Sequence, residues 1–348
     1  MWLENLGGFM NLYVGIDLHS TNSYIGIIND DFKNVMEKRV PNNKDKILNI
    51  LAQYSDKIIG VVVESTYNWY WLVDALMAAG YKVHLANPAA MKQYEGIKYL
   101  NDKHDANWLA KMLKLGILPE GYIFPKNTRA IRDLLRRRGS LVQKRTAFKL
   151  MLQQIYSNQK GESLSNNAME KMKYAEAEKL FEEEAWQMNG LCLYETSQHL
   201  KKQITEIEKY VLKQCKDEWS YKGLQTVPGV GVVLGLTIAL ETGPIERFLT
   251  AGDYASYARC VPTAYWSNKK KKGTGNQKNG NKYLAWAYAE AASFCMRHCE
   301  EAKMFYQRKT AKTNKPKAYR ALANKLSKAC YFIMRDGMAF DVNKLFQN

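Results

Sequence analysis

Four acidic residues mark the places where this chain could do chemistry. Asp17 follows the short apolar run Leu12–Ile16 and opens the polar stretch 17-DLHSTN-22. Glu64 closes a second apolar run, 58-IIGVVVE-64. Asp102 and Asp105 stand three apart in 102-DKHDA-106, a spacing that puts both carboxylates on one face of a helix. Carboxylates gathered without a cation repel one another and raise each other's pKa. Two strand ends and one helix start, all acidic, therefore predict a cation site. Mg²⁺ or Mn²⁺ suits it, because hard cations take carboxylates, waters and substrate phosphate. Two such ions clamp the entering and leaving oxygens of an in-line displacement at phosphorus.

The elements that must position these acids are legible in the patterning. Two β-branched runs, 12–16 and 24–28, read as paired strands, and 33-KNVMEKRV-40 as an edge strand beside them. Lys44 to Tyr54 has helical spacing. The strand ending at Glu64 follows, then a helix over 68–80 stopped by Gly80, then a strand at Lys82–Ala86. A helix is expected from 87-NPAA-90, with Asn87 as N-cap and Pro88 at its first position. The order βββαβαβα is that of the ribonuclease H-like fold. The turn after the first strand has no glycine, which excludes a doubly wound dinucleotide fold.

From residue 127 to about 215 Gly and Pro are scarce. Ile131, Leu134, Leu135, Leu141, Val142, Phe148, Met151 and Ile155 space a long amphipathic helix, broken at 161–167. A second helix over 176–217 carries a coiled-coil seam of Leu200, Ile204, Ile207 and Val211. A helical hairpin results, serving as spacer and for self-association. The chain then opens a new part at 223-GLQTVPGVGVVLGLTIALETG-243, a turn between apolar helices that is helix-hairpin-helix-like. Gly229 and Gly231 would let backbone N–H groups approach a phosphate at a helix start. Asn281 is placed to cap a helix over Lys282–His298. The fold class is thus α/β plus α, in three parts: 11–122, 123–217 and 218–348.

The net charge is +17 over 348 residues. Residues 267–348 carry 18 Lys/Arg against 5 Asp/Glu, and residues 126–149 nine basic residues against one acid. Such concentration is the footprint of a polyanion, here nucleic acid. The residues expected to meet it are Arg132, Arg136, Arg137, Arg138, Lys144 and Arg145 on the long helix. Further on they are Lys269, Lys270, Lys271, Lys272, Lys278, Asn281 and Lys282, where Tyr and Trp interleave with Lys as base stacking requires. No 18-residue apolar run or leader pattern is present, so neither a membrane span nor secretion is expected. Six cysteines without a CxxC pair read as free cytosolic thiols. Cys295, His298 and Cys299 lack a fourth ligand nearby, and small buried residues explain them better than zinc.

With these motifs in hand, the chain resembles the DEDD-type insertion-sequence transposases, the group that includes the Piv/MooV-like DNA invertases. The resemblance rests on GID with Asp17, VVVEST with Glu64 and DKHDA with Asp102 and Asp105 in the first half. In the second half it rests on TVPGVG and on the loop from Pro262 through Ser267 to 279-NGNKYL-284. It implies a RuvC-like catalytic domain, a helical coiled-coil linker and a C-terminal transposase domain. It also implies strand cleavage and exchange of donor and target DNA, a nucleophilic serine at Ser267, a structured guide RNA and a dimer or tetramer. The family's Ser-Ser-Gly-Gly-Lys loop reads Trp266-Ser267-Asn268-Lys269-Lys270 here, and its GNRYLR reads GNKYLA, with Ala285 in place of an arginine. Tyr265 is a rival nucleophile by chemistry. Two other classes stay open: a metal-dependent nuclease or junction resolvase using water, and a non-catalytic nucleic-acid-binding protein.

Overall fold

The computed structural model describes residues 10–91, 102–262, 265–268, 270–273 and 279–346; for 102, 103, 265–267 and 271 it describes the backbone alone. The chain divides into two compact units, one up to Lys126 and the other carrying most of the chain from Asn127 onward.

The first unit is a mixed sheet with helices. Its strands are β1 (Leu12–Leu18), β2 (Asn22–Asn29), β3 (Asn34–Pro41), β4 (Ile58–Glu64), β5 (Val83–Ala86) and β6 (Glu120–Gly121), in the order β3-β2-β1-β4-β5-β6. β1, β2 and β3 pair antiparallel, while β4 and β5 run parallel to β1. The helices are α1 (Lys44–Ala52), α2 (Tyr70–Ala78) and α3 (Asp102–Lys114). The central strands are apolar on both faces, and Val14, Ile16, Val61, Val62 and Val63 are wholly buried. That two-sided burial explains the continuous, non-alternating hydrophobic runs of β1 and β4.

The helix expected from Asn87 does not continue within the described residues. Pro88–Ala90 forms a single 3₁₀ turn, and the Asn87 side chain makes no capping bond. Residues 92–101 lie outside the described residues. α3 then lies against β1 and β2 through two glycines. A Cβ at Gly15 would strike the carbonyl oxygen of Ala106, and one at Gly26 would strike the side chain of Asn107. Ala106 and Ala110 are wholly buried at this contact. Small residues on both sides thus let the helix axis approach the sheet closely.

The second unit begins with the 35-residue α4 (Lys126–Lys160), ended by Gly161 in the left-handed region (φ 71°). Short helices α5 (Asn166–Lys171) and α6 (Tyr174–Glu178) lead to α7 (Glu184–Cys215). The single helix expected over 176–217 is interrupted at 179–183, where Phe181 is buried and seats against Gly190 of α7. α4 and α7 are antiparallel: Leu135 packs with Val211, Arg138 pairs with Glu208, Arg145 reaches Ser197, and Leu152 packs with Tyr194.

Beyond the hairpin lie α8 (Trp219–Leu224), α9 (Val232–Thr242), α10 (Ala251–Tyr257) and the two-stranded β7 (Tyr265–Ser267) and β8 (Lys270–Gly273). Then come α11 (Lys282–His298), α12 (Glu300–Lys312), α13 (Lys315–Asp336) and α14 (Val342–Phe346). Leu236 and Leu240 of α9 share one apolar cluster with Leu135 and Val211 of the hairpin, so hairpin and C-terminal helices make a single compact body. All six cysteines are free, and five are buried. Among the described residues no helix is long and apolar enough to cross a membrane.

The α3 contact yields the first prediction. Gly15→Ala forces a methyl group against helix backbone and should cost about 1–3 kcal/mol by overpacking. Chemical denaturation would read it. An unchanged denaturation midpoint would show that α3 can slide away without penalty.

Candidate active site

The sheet register brings the first two acids together. Ile16 of β1 is level with Val63 of its parallel neighbour β4. The next residues, Asp17 and Glu64, therefore end adjacent strands side by side. Asp17 is only 3% exposed. α3, held down at Gly15, adds Asp105 from above the sheet. Burial pushes the Glu64 carboxyl up to about 7. The negative charges of Asp17 and Asp105 and a hydrogen bond shared with Asp17 supply part of that same rise, and His19 opposes it. Asp17, Glu64 and Asp105 are thus one electrostatic cluster. Asp102 opens α3, and its side chain lies outside the described residues.

Two histidines that the sequence did not single out stand among these acids. His19 Nε2 is 3.2 Å from Asp17 Oδ2. The backbone carbonyl of His19 accepts hydrogen bonds from Asn42 Nδ2 at 2.9 Å and Asn68 Nδ2 at 3.0 Å, which fixes the turn after β1. His104 Nδ1 lies 3.7 Å from Asp105 Oδ1, and its ring stacks on Trp108 with centroids 6.1 Å apart. The signal for His19 was its spacing: two residues beyond Asp17 falls on the same side of an extended chain.

The donor set is one of hard oxygens, and Asp17 and Glu64 are near enough to share a proton. Both features suit a divalent cation that would displace that proton. Among the described residues no group of three His, Cys, Asp or Glu stands at mutual liganding distance.

The six basic residues of α4 expected to meet nucleic acid sort into two groups. Four answer to carboxylates or carbonyls of their own chain, against the expectation that they face nucleic acid. Glu241 of α9, 2% exposed, accepts from Arg132 Nε at 2.8 Å, from Arg136 Nε at 2.5 Å and Nη2 at 2.7 Å, and from Asn281 Nδ2 at 2.7 Å. Burial opposes ionisation of Glu241, yet the Arg136 bonds and the charge of Arg132 outweigh it and hold the carboxyl below its ordinary value. Arg138 pairs with Glu208 at 2.6 Å. Arg145 bonds Glu170 at 2.6 Å and, with Lys149 and Lys201, brings that carboxyl down to about 2. The reason is geometric: these guanidinium groups point inward between helices, where an unpaired acid would be costly. Arg137 and Lys144 are the exposed remainder.

Asn281 likewise differs from a surface contact. It is buried, and its Oδ1 caps α11 by accepting from Tyr283 N at 2.8 Å and Leu284 N at 3.2 Å. Gly229 has φ 87° and sits where a Cβ would strike the backbone of Cys295 and Ala291, so its smallness serves packing on α11. Gly231 is the N-cap of α9 and has open space where a Cβ would be. Lys282 is exposed at the start of α11. Ser267 ends β7, and Lys270 and Lys272, both exposed, lie on β8. The side chains of Ser267 and Lys271, and residues Lys269 and Lys278, lie outside the described part of the chain.

Two family models match this chain. A family model for DEDD transposases of the IS110 type, described as "Transposase", matches residues 14–157, which hold all four acids. A second, described as "Transposase IS116/IS110/IS902 family", matches residues 221–307, which hold Ser267 and the start of α11. This chain belongs to the DEDD-type insertion-sequence transposase family. Its relatives are distant. It is 25% identical over 146 residues to a transposase for insertion sequence element IS1328 of Yersinia enterocolitica, covering 41% of this chain and 44% of that protein. It is 29% identical over 119 residues to an uncharacterized 43.6 kDa protein of insertion element IS110 of Streptomyces coelicolor, covering 34% and 29%. A transposase for IS1111A of Coxiella burnetii is 24% identical over 261 residues, covering 71% and 70%. The chain thus spans less than half the length of the first two relatives. DEDD family membership suggests use of a divalent metal, in agreement with the carboxylate donors at the sheet end.

The raised Glu64 carboxyl has a signed consequence. Folding lifts it from 4.5 to about 7, so the folded state holds this proton more tightly than the unfolded state. Stability should therefore fall as pH rises between those values and level off above about 7. Glu64→Gln should remove that slope in thermal melts of the metal-free protein. Added MgCl₂ should raise the wild-type midpoint more at pH 8 than at pH 6, because metal and proton compete for one carboxylate. Equal shifts at both pH values would refute the shared site.

Proposed function

We propose that this chain cuts and rejoins DNA as the transposase of a mobile insertion sequence. Its first unit would be a RuvC-like catalytic domain, its helical hairpin a linker, and its C-terminal helices with the β7–β8 loop a transposase domain. The observation that carries the reading is the convergence of Asp17, Glu64 and Asp105 into one cluster whose Glu64 pKa is about 7, in a chain of this family. The strand order, three antiparallel strands followed by parallel additions on the other side of β1, supports the ribonuclease H-like reading.

Asp17, Glu64, Asp102 and Asp105 would hold Mg²⁺ or Mn²⁺. When bound, such ions neutralise charge building on the phosphate and favour an ionised attacking oxygen. The chain's own residues would do the rest. Asp17, the most buried acid of the cluster, fixes the floor of the site. Glu64 gives up its proton as the site fills.

Ser267 is the nucleophile in this reading. Its Oγ–H bond breaks, Oγ bonds to phosphorus, and one phosphodiester P–O bond breaks. The departing deoxyribose oxygen takes a proton and becomes a hydroxyl. The phosphoserine ester keeps the bond energy that hydrolysis would dissipate, so a second hydroxyl can reverse the step and join a new strand. Lys270 and Lys272 would bear on the phosphate backbone. Donor and target DNA are the substrates, and the basic surplus also suits a structured guide RNA that leaves sequence reading to base pairing. Ser267 and the acids belong to separate compact units, which suits an oligomer in which one subunit's serine serves another's acids.

A nicked target incubated with wild-type, Ser267→Ala and Asp17→Ala proteins tests this. Wild type should leave a covalent protein–DNA adduct, and Ser267→Ala none. An adduct with Ser267→Ala would overturn the serine assignment. Cutting without an adduct would assign a nuclease that uses water. Recovery of activity on mixing the two variants would support a site shared between subunits.

The salt dependence of DNA binding gives an independent measure. Exchanging Lys269 to Lys272 for Gln should flatten the slope of log K against log salt by about 0.9 for each phosphate no longer neutralised. An unchanged slope would leave the lysine run as solvated surface.

A further inference from the structure

Gly139 sits in the interior of α4, a 35-residue helix, where glycine costs about 1 kcal/mol relative to alanine. Nothing lies within 4 Å of where its Cβ would be. Its neighbours therefore give no packing reason for the missing side chain, unlike Gly15 or Gly190. Gly139 lines a cavity of about 520 Å³ between α4, α9 and α11, within the second unit. Its absent side chain keeps the α4 wall of that cavity open and bare, which allows close approach of a ligand to the backbone.

The other walls say what kind of ligand. Trp286 of α11 is 43% exposed and lines the cavity. It makes no ring contact among the described residues. Tyr283, one turn earlier, has one face covered by the Arg136 guanidinium at 4.3 Å. Lys282 is exposed at the rim. The floor is the Glu241 carboxylate, whose oxygens are already taken by two arginines and Asn281, so the floor carries a net positive charge. A bare helix wall, an indole face and surplus positive charge call for a planar π ring with an anion attached.

We propose that this cavity takes one unpaired nucleotide, its base laid on Trp286 against the Gly139 wall and its phosphate facing Lys282. The inference rests on the family's nucleic-acid chemistry but not on the serine assignment. The site holds a strand that has left its duplex and plays no part in bond breaking. Base stacking on an aromatic side chain is strong enough to favour an unpaired base about tenfold over the same duplex without one.

The probes are a DNA hairpin with a single bulged 2-aminopurine, its RNA counterpart, and the fully paired form of each. The full-length protein should bind one of the bulged probes about tenfold tighter than its paired form and quench the 2-aminopurine. Whichever of DNA or RNA shows the preference identifies the strand. Trp286→Ala and Gly139→Leu should each abolish the preference and the quenching, with binding to paired probe unchanged. Gly139→Ala controls for folding, since it should raise the melting midpoint by about 2–4 °C. Preference retained in both Trp286→Ala and Gly139→Leu overturns the proposal. So does a change of oligomeric mass in Gly139→Leu with the preference intact, which would give Gly139 to contact between subunits. Adduct formation through Ser267, read on the same preparations, can fail while the bulge preference stands, and the reverse is equally distinguishable.

Discussion

The acidic end of the sheet depends on how closely α3 lies on β1. Asp17 and Glu64 would stand together in any parallel pairing of β1 with β4 at this register. Asp105 joins them only because a helix backbone can rest where Gly15 and Gly26 have no side chains. Like charges gain nothing by meeting, so the contact must be held by something else. It is held by apolar burial: Ala106, Leu109 and Ala110 turn into the sheet while Asp105 stays at its margin. Part of that electrostatic cost appears in the raised Glu64 carboxyl, which burial lifts most and the neighbouring Asp17 and Asp105 charges lift as well.

In the second unit the governing interaction has the opposite sign. Glu241 is buried on α9 with both oxygens occupied by Arg132, Arg136 and Asn281. These three come from α4 and from the cap of α11, so one carboxylate ties three helices together. Removing it would leave two guanidinium groups facing each other without compensation. A cluster of basic residues that suggested nucleic acid is therefore partly an internal framework. Of the described residues expected to meet nucleic acid, Arg137, Lys144, Lys270, Lys272 and Lys282 are exposed instead.

The acids of the first unit and Ser267 of the second stand on differently built supports. The acids stand on the ends of wholly buried strands, where backbone position is fixed by neighbours on both sides. Ser267 stands on a two-stranded ribbon. A two-stranded ribbon has little independent stability and takes its shape from what it packs on.

The sequence by itself determined the sheet and its acids. Short β-branched runs can be buried only as central strands, so β1, β2 and β4, with Asp17 and Glu64 at their ends, could be read directly. The same held for α4, whose apolar spacing persists along most of its length, and for the Asn281 cap of α11, which is a local contact. What only the tertiary structure decided was partnership at long range. That Arg132 and Arg136 meet Glu241, more than a hundred residues away, has no local signal. Nor has the approach of His19 to Asp17, the break at 179–183 where Phe181 seats on Gly190, or the packing role of Gly229. Patterning reports which face of an element is apolar, because burial acts on each residue separately. It cannot report which charge pairs with which, because that depends on where two distant elements come to rest.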